Sequence, residues 1–255
     1  MRVIVTRPES EARLWSLELG RRGFDTAVLA LIDILPGPRP AEVEAAWGAL
    51  EGRRAVMFVS GNAVRQFFAQ RPEAAAWPAV TRAWATGAGT REALLEAGIA
   101  PTLVDAPPAH STQFDSENLW QAVAAQVKAQ DRVLIVRGMD QGDESTGRTW
   151  LADQLLAAGV QVESVVAYVR ARPQWDDQQR ARAQQLCDAE SVWLFSSSQA
   201  IVHLQSLMPA QAWVAGRAVA THPRIAQTAR RAGFAVVCES RPSVDAVAAA
   251  LESFR

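Results

Sequence analysis

Short β-branched apolar runs alternate along this chain with longer stretches of helical period. Arg2-Val-Ile-Val-Thr6 has the pattern of a compact buried strand, closed by Pro8. From residue 9 to 22, Ala12, Trp15, Leu17 and Leu19 form a helical stripe that stops at Gly23. Residues 28–35 then read as a second buried strand, ended by Pro36. The same signals place strands at 55–60, 82–86, 101–104, 132–137, 162–170, 192–196, 218–221 and 235–238, with helices in most of the gaps. Such alternation predicts an α/β fold with parallel sheets covered by helices on both faces.

The elements also repeat. Arg2-Val-Ile-Val-Thr-Arg7 matches Arg132-Val-Leu-Ile-Val-Arg137, and each is followed by a helix, a glycine and a strand. Those strands end alike, at Pro36 and Pro173. The run from Ala55 to Val64 matches the run from Ser191 to Ala200, and Arg82-Ala-Trp-Ala-Thr86 matches Arg217-Ala-Val-Ala-Thr221. Offsets of roughly 130 to 136 residues mark two copies of one unit. Two pseudo-symmetric lobes imply a cleft between them, a common place for a small ligand.

Composition narrows the classes of function. The 255 residues are 49% hydrophobic and 21% charged, the balance of a globular protein with a sizeable core. A net charge of −1 argues against a nucleic-acid binder, whose affinity rests on a basic face. No apolar run approaches the length of a membrane helix, and the N-terminal residues lack the apolar core of a signal peptide, so a cytoplasmic protein is expected. Cys187 and Cys238 stand far apart and suit buried thiols in a reducing compartment. His110, His203 and His222 are scattered, so no local motif assembles a metal site and no cofactor is expected. Of the nine tryptophans, Trp15, Trp47, Trp120 and Trp150 sit at apolar helical spacing and read as core.

Taken in order, several short pieces resemble the uroporphyrinogen-III synthase family over nearly the whole chain. They are Val5-Thr6-Arg7-Pro8, Phe58-Val-Ser-Gly-Asn-Ala-Val64, Gly87-Ala-Gly-Thr90, Asp115-Ser-Glu117, Val136-Arg137-Gly138, Ala167-Tyr168 and Phe195-Ser-Ser-Ser198. Each is weakly specific alone; their order and spacing carry the resemblance. It implies a discontinuous first domain of residues 1–35 plus 173–255, a second domain of 39–167, and a two-stranded linker at 36–38 and 168–172. It also implies a monomer that needs no cofactor and has transient contacts with neighbouring pathway enzymes.

The substrate implied by the family is hydroxymethylbilane, a flexible chain of four pyrroles bearing acetates and propionates. Loss of its terminal hydroxyl gives an electrophilic azafulvene, and closure through a spiro intermediate inverts the last ring. The bilane also closes unaided to the uninverted isomer, so catalysis is mainly the holding of one conformer. That task calls for carboxylate receivers, which helix N-termini with small hydroxyl residues supply. Ser60, Gly61 and Asn62 in one copy and Ser196, Ser197 and Ser198 in the other are the expected receivers, with ordinary helix capping as the plainer role for the same residues. Gly87 and Thr90 form a third cradle; as a dinucleotide fingerprint this turn fails, because Glu92 stands where a glycine belongs.

The counterpart of that cradle departs from the family pattern, with His222 for glycine and Ile225 for threonine, leaving Thr221 or His222 as possible contacts. Thr6 and Arg7 close the first strand, and Arg137 closes its repeat; the arginines suit bidentate contacts to carboxylates or structural ion pairs. Arg91 and Arg148 read as solvated helix residues. Tyr168, the sole tyrosine, matches a family tyrosine; its phenol suits an acid for the departing hydroxyl, an orienting hydrogen bond, or packing at a lobe boundary. Two other classes compete with the enzyme. A tandem nucleotide-binding oxidoreductase lacks its glycine fingerprint. A non-catalytic sensor of a tetrapyrrole or small ligand stays open through the altered turn at 222–225.

Overall fold

The computed structural model describes residues 1–107, 116–142, 150–188 and 190–254. Eleven strands and ten α-helices alternate through them. In the first part of the chain these are β1 (Arg2–Val5), α1 (Glu9–Arg21), β2 (Asp25–Val28), β3 (Asp33–Pro36), α2 (Pro40–Gly48), β4 (Ala55–Phe58), α3 (Gly61–Ala69), β5 (Arg82–Ala85), α4 (Ala88–Glu96) and β6 (Val104–Asp105). Then follow α5 (Ser116–Val123), β7 (Arg132–Asp140), α6 (Trp150–Ala157), β8 (Gln161–Ala171), α7 (Asp177–Gln185), β9 (Ser191–Phe195), α8 (Ser198–Leu207), β10 (Arg217–Ala220), α9 (Pro223–Arg231), β11 (Val236–Glu239) and α10 (Val244–Glu252).

The chain divides into two compact units, Met1–Asp33 with Ala171–Arg255, and Ile34–Arg170. The first holds a five-stranded sheet in the order β11-β10-β9-β1-β2, with all pairs parallel. Its strands alternate cleanly between two packed faces. Val192 and Leu194 of β9 join Val3, Val5, Ala12, Leu19, Val247 and Leu251 on one side. Trp193 and Phe195 point the other way into an aromatic group, where Trp213 stacks on Phe234 at 4.9 Å and Phe195 meets Phe234 edge-on at 5.4 Å.

The second unit holds a six-stranded sheet in the order β3-β8-β7-β4-β5-β6. Val56 and Phe58 of β4 pack with α2, α3 and α4, whereas Ala55 and Met57 pack with α5 and α6. On the first of these faces Trp47 stacks on Phe67 at 4.7 Å and donates its indole N–H to the Phe67 carbonyl. β7 and β8 pair in parallel from Arg132↔Gln161 to Arg137↔Val166; the register then skips Ala167, so that Gly138 faces Tyr168. Beyond β8 lies β3.

The repeat seen in the sequence is repeated in the topology. Read from one edge, β2-β1-β9-β10-β11 and β8-β7-β4-β5-β6 follow one order, and the related strands β1 and β7, β9 and β4, and β10 and β5 take matching places. Each sheet thus combines strands from both sequence copies.

Three local expectations change. Residues 28–35 are not one strand: β2 ends at Val28 and β3 begins at Asp33 in the other sheet. Leu29, Leu31 and Ile32 between them are buried, so the apolar run is continuous although the strand is not. Its backbone is tied by Leu29 N–H to the Val5 carbonyl and by a 2.7 Å contact between His203 Nδ1 and the Leu31 carbonyl. Pro101–Leu103 is a 3₁₀ turn, and only Val104–Asp105 pairs as a strand. Leu17 is 54% exposed, so α1 buries Ala12 and Leu19 without it. The residues expected as a two-stranded linker lie partly in strands: Pro36 closes β3, and residues 168–170 of β8 pair with β7.

Candidate functional site

Sheets of this order have a switch point where the connections run away in opposite directions, between β1 and β9 in the first unit and between β7 and β4 in the second. Ligands of open α/β sheets bind beyond the carboxyl ends of the strands at such points. Thr6 and Arg7 follow β1, Ser197 and Ser198 follow β9, and Ser60, Gly61 and Asn62 follow β4. Arg137, expected to close its strand, instead lies inside β7, which runs on to Asp140 because Gly138–Asp140 still pair with β8.

In the second unit Ser60 is the N-cap of α3. Its backbone is extended, and its Oγ accepts the Ala63 amide at 3.1 Å. The same Oγ lies 3.1 Å from the Tyr168 hydroxyl, so the cap and the phenol form one polar pair. Tyr168 is only 4% exposed, and its ring packs in the α2–α3–α4 core. Asn62 is nearly buried and accepts from Arg65 Nη2 at 3.1 Å. A Cβ on Gly61 would lie 3.4 Å from the Gly89 carbonyl oxygen, so the first turns of α3 and α4 are neighbours.

Gly87 caps α4 with no side-chain bond, and Thr90 sits in that first turn at 6% exposure. A glycine cap leaves the first-turn amides without a competing side chain, the arrangement a carboxylate needs. Thr86, which the sequence did not single out, fixes this turn by donating Oγ1 to the Val59 carbonyl at 3.1 Å.

In the first unit Ser197, one residue later than the match to Ser60 suggests, caps α8 and accepts the Gln199 amide at 3.1 Å. Ser198 Oγ accepts from Thr228 Oγ1 at 3.2 Å, while Ser196 Oγ is buried without a hydrogen-bond partner. Thr6 is 1% exposed and donates Oγ1 to the Leu194 carbonyl at 2.7 Å, a bond that ties β1 to β9. Thr221 is also buried, its amide donating to the Phe195 carbonyl.

Arg7 is held in place by two contacts. Its Nη1 donates to Glu11 at 3.2 Å, and its guanidinium lies 4.2 Å over the Trp15 ring. Burial lowers its pKa, opposed by the Glu11 charge, and its Nε is buried without a partner. A desolvated arginine held in this way is well suited to a carboxylate.

The turn at His222 differs from its relative at Gly87 in a way that geometry explains. His222 caps α9 by accepting the Arg224 amide on Nδ1 at 3.1 Å, and Pro223 brings no N–H to the first turn. The α9 terminus is thus closed by its own residues. Ile225 is 6% exposed, the same burial as Thr90 at the corresponding place, and fills with hydrocarbon what Thr90 fills with a hydroxyl.

Other chemistry is thin. Both cysteines are free and half-buried, and burial pushes the Cys187 thiol up to about 11, away from a nucleophilic thiolate. Among the described residues no group of three or more His, Cys, Asp or Glu is placed to hold a metal ion, and no helix is long and apolar enough to cross a membrane. His110, Asp115 and Arg148 lie outside the described residues.

Two solved structures share the fold. Uroporphyrinogen III synthetase from Helicobacter pylori matches with a TM-score of 0.61 at 15% identity, covering 100% of this chain and 99% of that one. A triple mutant of uroporphyrinogen III synthase from Thermus thermophilus matches with a TM-score of 0.54 at 17% identity, covering 100% and 97%. The family model described as uroporphyrinogen-III synthase HemD matches residues 14–249. With that match spanning all but the ends of the sequence, the chain belongs to the uroporphyrinogen-III synthase family.

Proposed function

We propose that this chain performs its family's reaction, the cyclisation of hydroxymethylbilane to uroporphyrinogen III, by gripping the bilane's carboxylates at helix caps. The receivers are the first turns of α3 and α4 with Arg137 in the second unit, and the first turn of α8 with Arg7 in the first. Their merit is that each offers donors already fixed by the fold, so one bilane conformer is held without reorganisation at the moment of closure. Thr6 and Thr221 belong to the same strand ends but have their backbone or hydroxyl engaged within the sheet, and in this reading they shape the site more than they touch the substrate.

The observation that carries the reading is the Ser60–Tyr168 pair. A phenol and a hydroxyl 3.1 Å apart, at the cap of a helix beside the bare cap of α4, orient Tyr168 as the acid that donates a proton as the bilane's terminal hydroxyl leaves as water. The proton then returns from the pyrrole carbon that loses it on aromatisation, so the pair ends as it began.

A coupled assay tests both parts. Hydroxymethylbilane is generated in situ, and the oxidised porphyrins are separated by isomer. Type III product above the spontaneous type I background is expected from the wild-type chain, and a loss of about 10²-fold in Tyr168→Phe. Type I alone from folded protein would instead favour the sensor reading and direct attention to His222 and Ile225. Wild-type rates in Tyr168→Phe would remove the role given to the phenol.

A further inference from the structure

Strand β8 breaks its alternation at one place, and that place aims Tyr168. Ala167 and Tyr168 are consecutive, yet both pack in the same core cluster, together with Val165. A regular strand sends neighbouring side chains to opposite faces. The pairing accounts for the exception: Arg137 faces Val166 and Gly138 faces Tyr168, so Ala167 is an extra residue on β8. Bulges in parallel pairs are rare, and they re-aim the side chains that follow.

The bulge is pinned from outside the β7–β8 pair. The Ala167 carbonyl accepts the Gly37 amide at 3.0 Å and Gln70 Nε2 at 3.1 Å, and the same Gln70 nitrogen donates to the Gln66 carbonyl at 2.8 Å. Two glycines leave room for it. A Cβ on Gly37 would stand 2.2 Å from the Val166 carbonyl oxygen, which is backbone and cannot swing aside. A Cβ on Gly138 would stand 2.3 Å from Tyr168 Cζ, 2.5 Å from Cε2 and 2.6 Å from Cε1. The ring therefore covers the bare α-carbon of Gly138, and at 4% exposure it is closely packed on its other sides.

We infer that Gly138 is a positioning residue for the cyclisation, acting through Tyr168. The bulge at Ala167 turns the ring onto β7, and the absent side chain of Gly138 sets how far the phenol reaches toward Ser60. This rests on the role proposed above for Tyr168, and adds to it a residue with no functional group of its own.

Because Tyr168 is the only tyrosine in the chain, protein grown with ring-labelled [13C]tyrosine gives a single Cζ signal, readable without substrate. That signal and the type III rate are measured in wild type, Gly138→Ala, Tyr168→Phe and the double variant G138A/Y168F. The expected result is a displaced Cζ signal in Gly138→Ala, with its rate lowered by the Tyr168→Phe factor within about threefold. G138A/Y168F should then be no slower than Tyr168→Phe. An unmoved signal, or a further loss in the double variant, overturns the inference while a slow Tyr168→Phe keeps the underlying reading. A wild-type rate in Tyr168→Phe sinks that reading and this inference with it, whatever the signal does. If Gly138→Ala fails to fold, G138A/Y168A decides: recovered thermal stability supports the steric coupling, and none overturns it.

Discussion

Ser60 carries two kinds of work, and they can be separated. Its Oγ caps α3 through the Ala63 amide and also meets the Tyr168 hydroxyl. Ser60→Ala is expected to cost about 1 kcal/mol of stability from the lost cap. Its type III rate should fall only several-fold, because the grip is shared with α4 and α8; complete loss of activity from folded Ser60→Ala would contradict a shared grip. Thr6 has a different balance. Its buried hydroxyl bonds the Leu194 carbonyl, so Thr6→Val leaves that acceptor unpaired and should cost about 1–2 kcal/mol in chemical denaturation. The rate per folded molecule should stay near wild type, and a raised KM with unchanged stability would instead place Thr6 against the substrate.

At the scale of elements, the β7–β8 pair carries the bulge that sets Tyr168, and its register is clamped near the amino ends by charge. Glu163 accepts Arg53 Nη2 at 2.7 Å and Arg132 Nη2 at 2.7 Å. Hydrogen bonds from Arg53, then Arg132, hold its carboxyl down to about 2. The folded pKa is depressed, so the stabilisation is present above the unfolded value near pH 4 and is lost as pH falls through about 2. Since the Glu163 side chain is 45% exposed, solvent screens the pair and about 1 kcal/mol is the expected size. Glu163→Gln should melt below wild type at pH 7, leaving the 3%-exposed Arg53 side chain without its counter-charge, and the gap should narrow from pH 4 toward pH 2. A gap independent of pH would mean that the carboxylate's charge does not stabilise this register. The helix termini differ in the same local manner: α4 is capped by a bare glycine, whereas α9 is closed by His222 and Pro223. They hold matching places in the two copies, yet the first-turn amides meet a side-chain cap in α9 and none in α4.

For the molecule as a whole, continuity along the chain separates the two units. Ile34–Arg170 is one uninterrupted segment with its own six-stranded sheet and aromatic core, whereas Met1–Asp33 supplies only β1 and β2 and depends on Ala171–Arg255 for the other three strands of its sheet. A fragment of residues 34–170 is therefore expected to melt cooperatively by circular dichroism, without type III activity. A fragment of 171–255 lacks β1 and β2 and should show no cooperative transition. The opposite pattern would mean that the two compact units are not independent folding units.

The sequence by itself determined what depends on local pattern. Strand–helix alternation, the duplication, and the hydroxyl and glycine residues at strand-to-helix turns are all set by residues near one another in the chain, where periodicity and capping chemistry operate. The resemblance added the family and the choice of Tyr168. What only the tertiary structure decided depends on pairing between distant segments. The apolar run at 28–35 gives no sign that its two ends enter different sheets, because burial is the same on either path. Ser197 replaces Ser196 as the cap of α8 because β9 runs one residue further than β4 before its helix begins. The bulge at Ala167 cannot be read from 161–171, since an extra residue exists only relative to the register of β7, and the need for glycine at 138 exists only once Tyr168 lies across it.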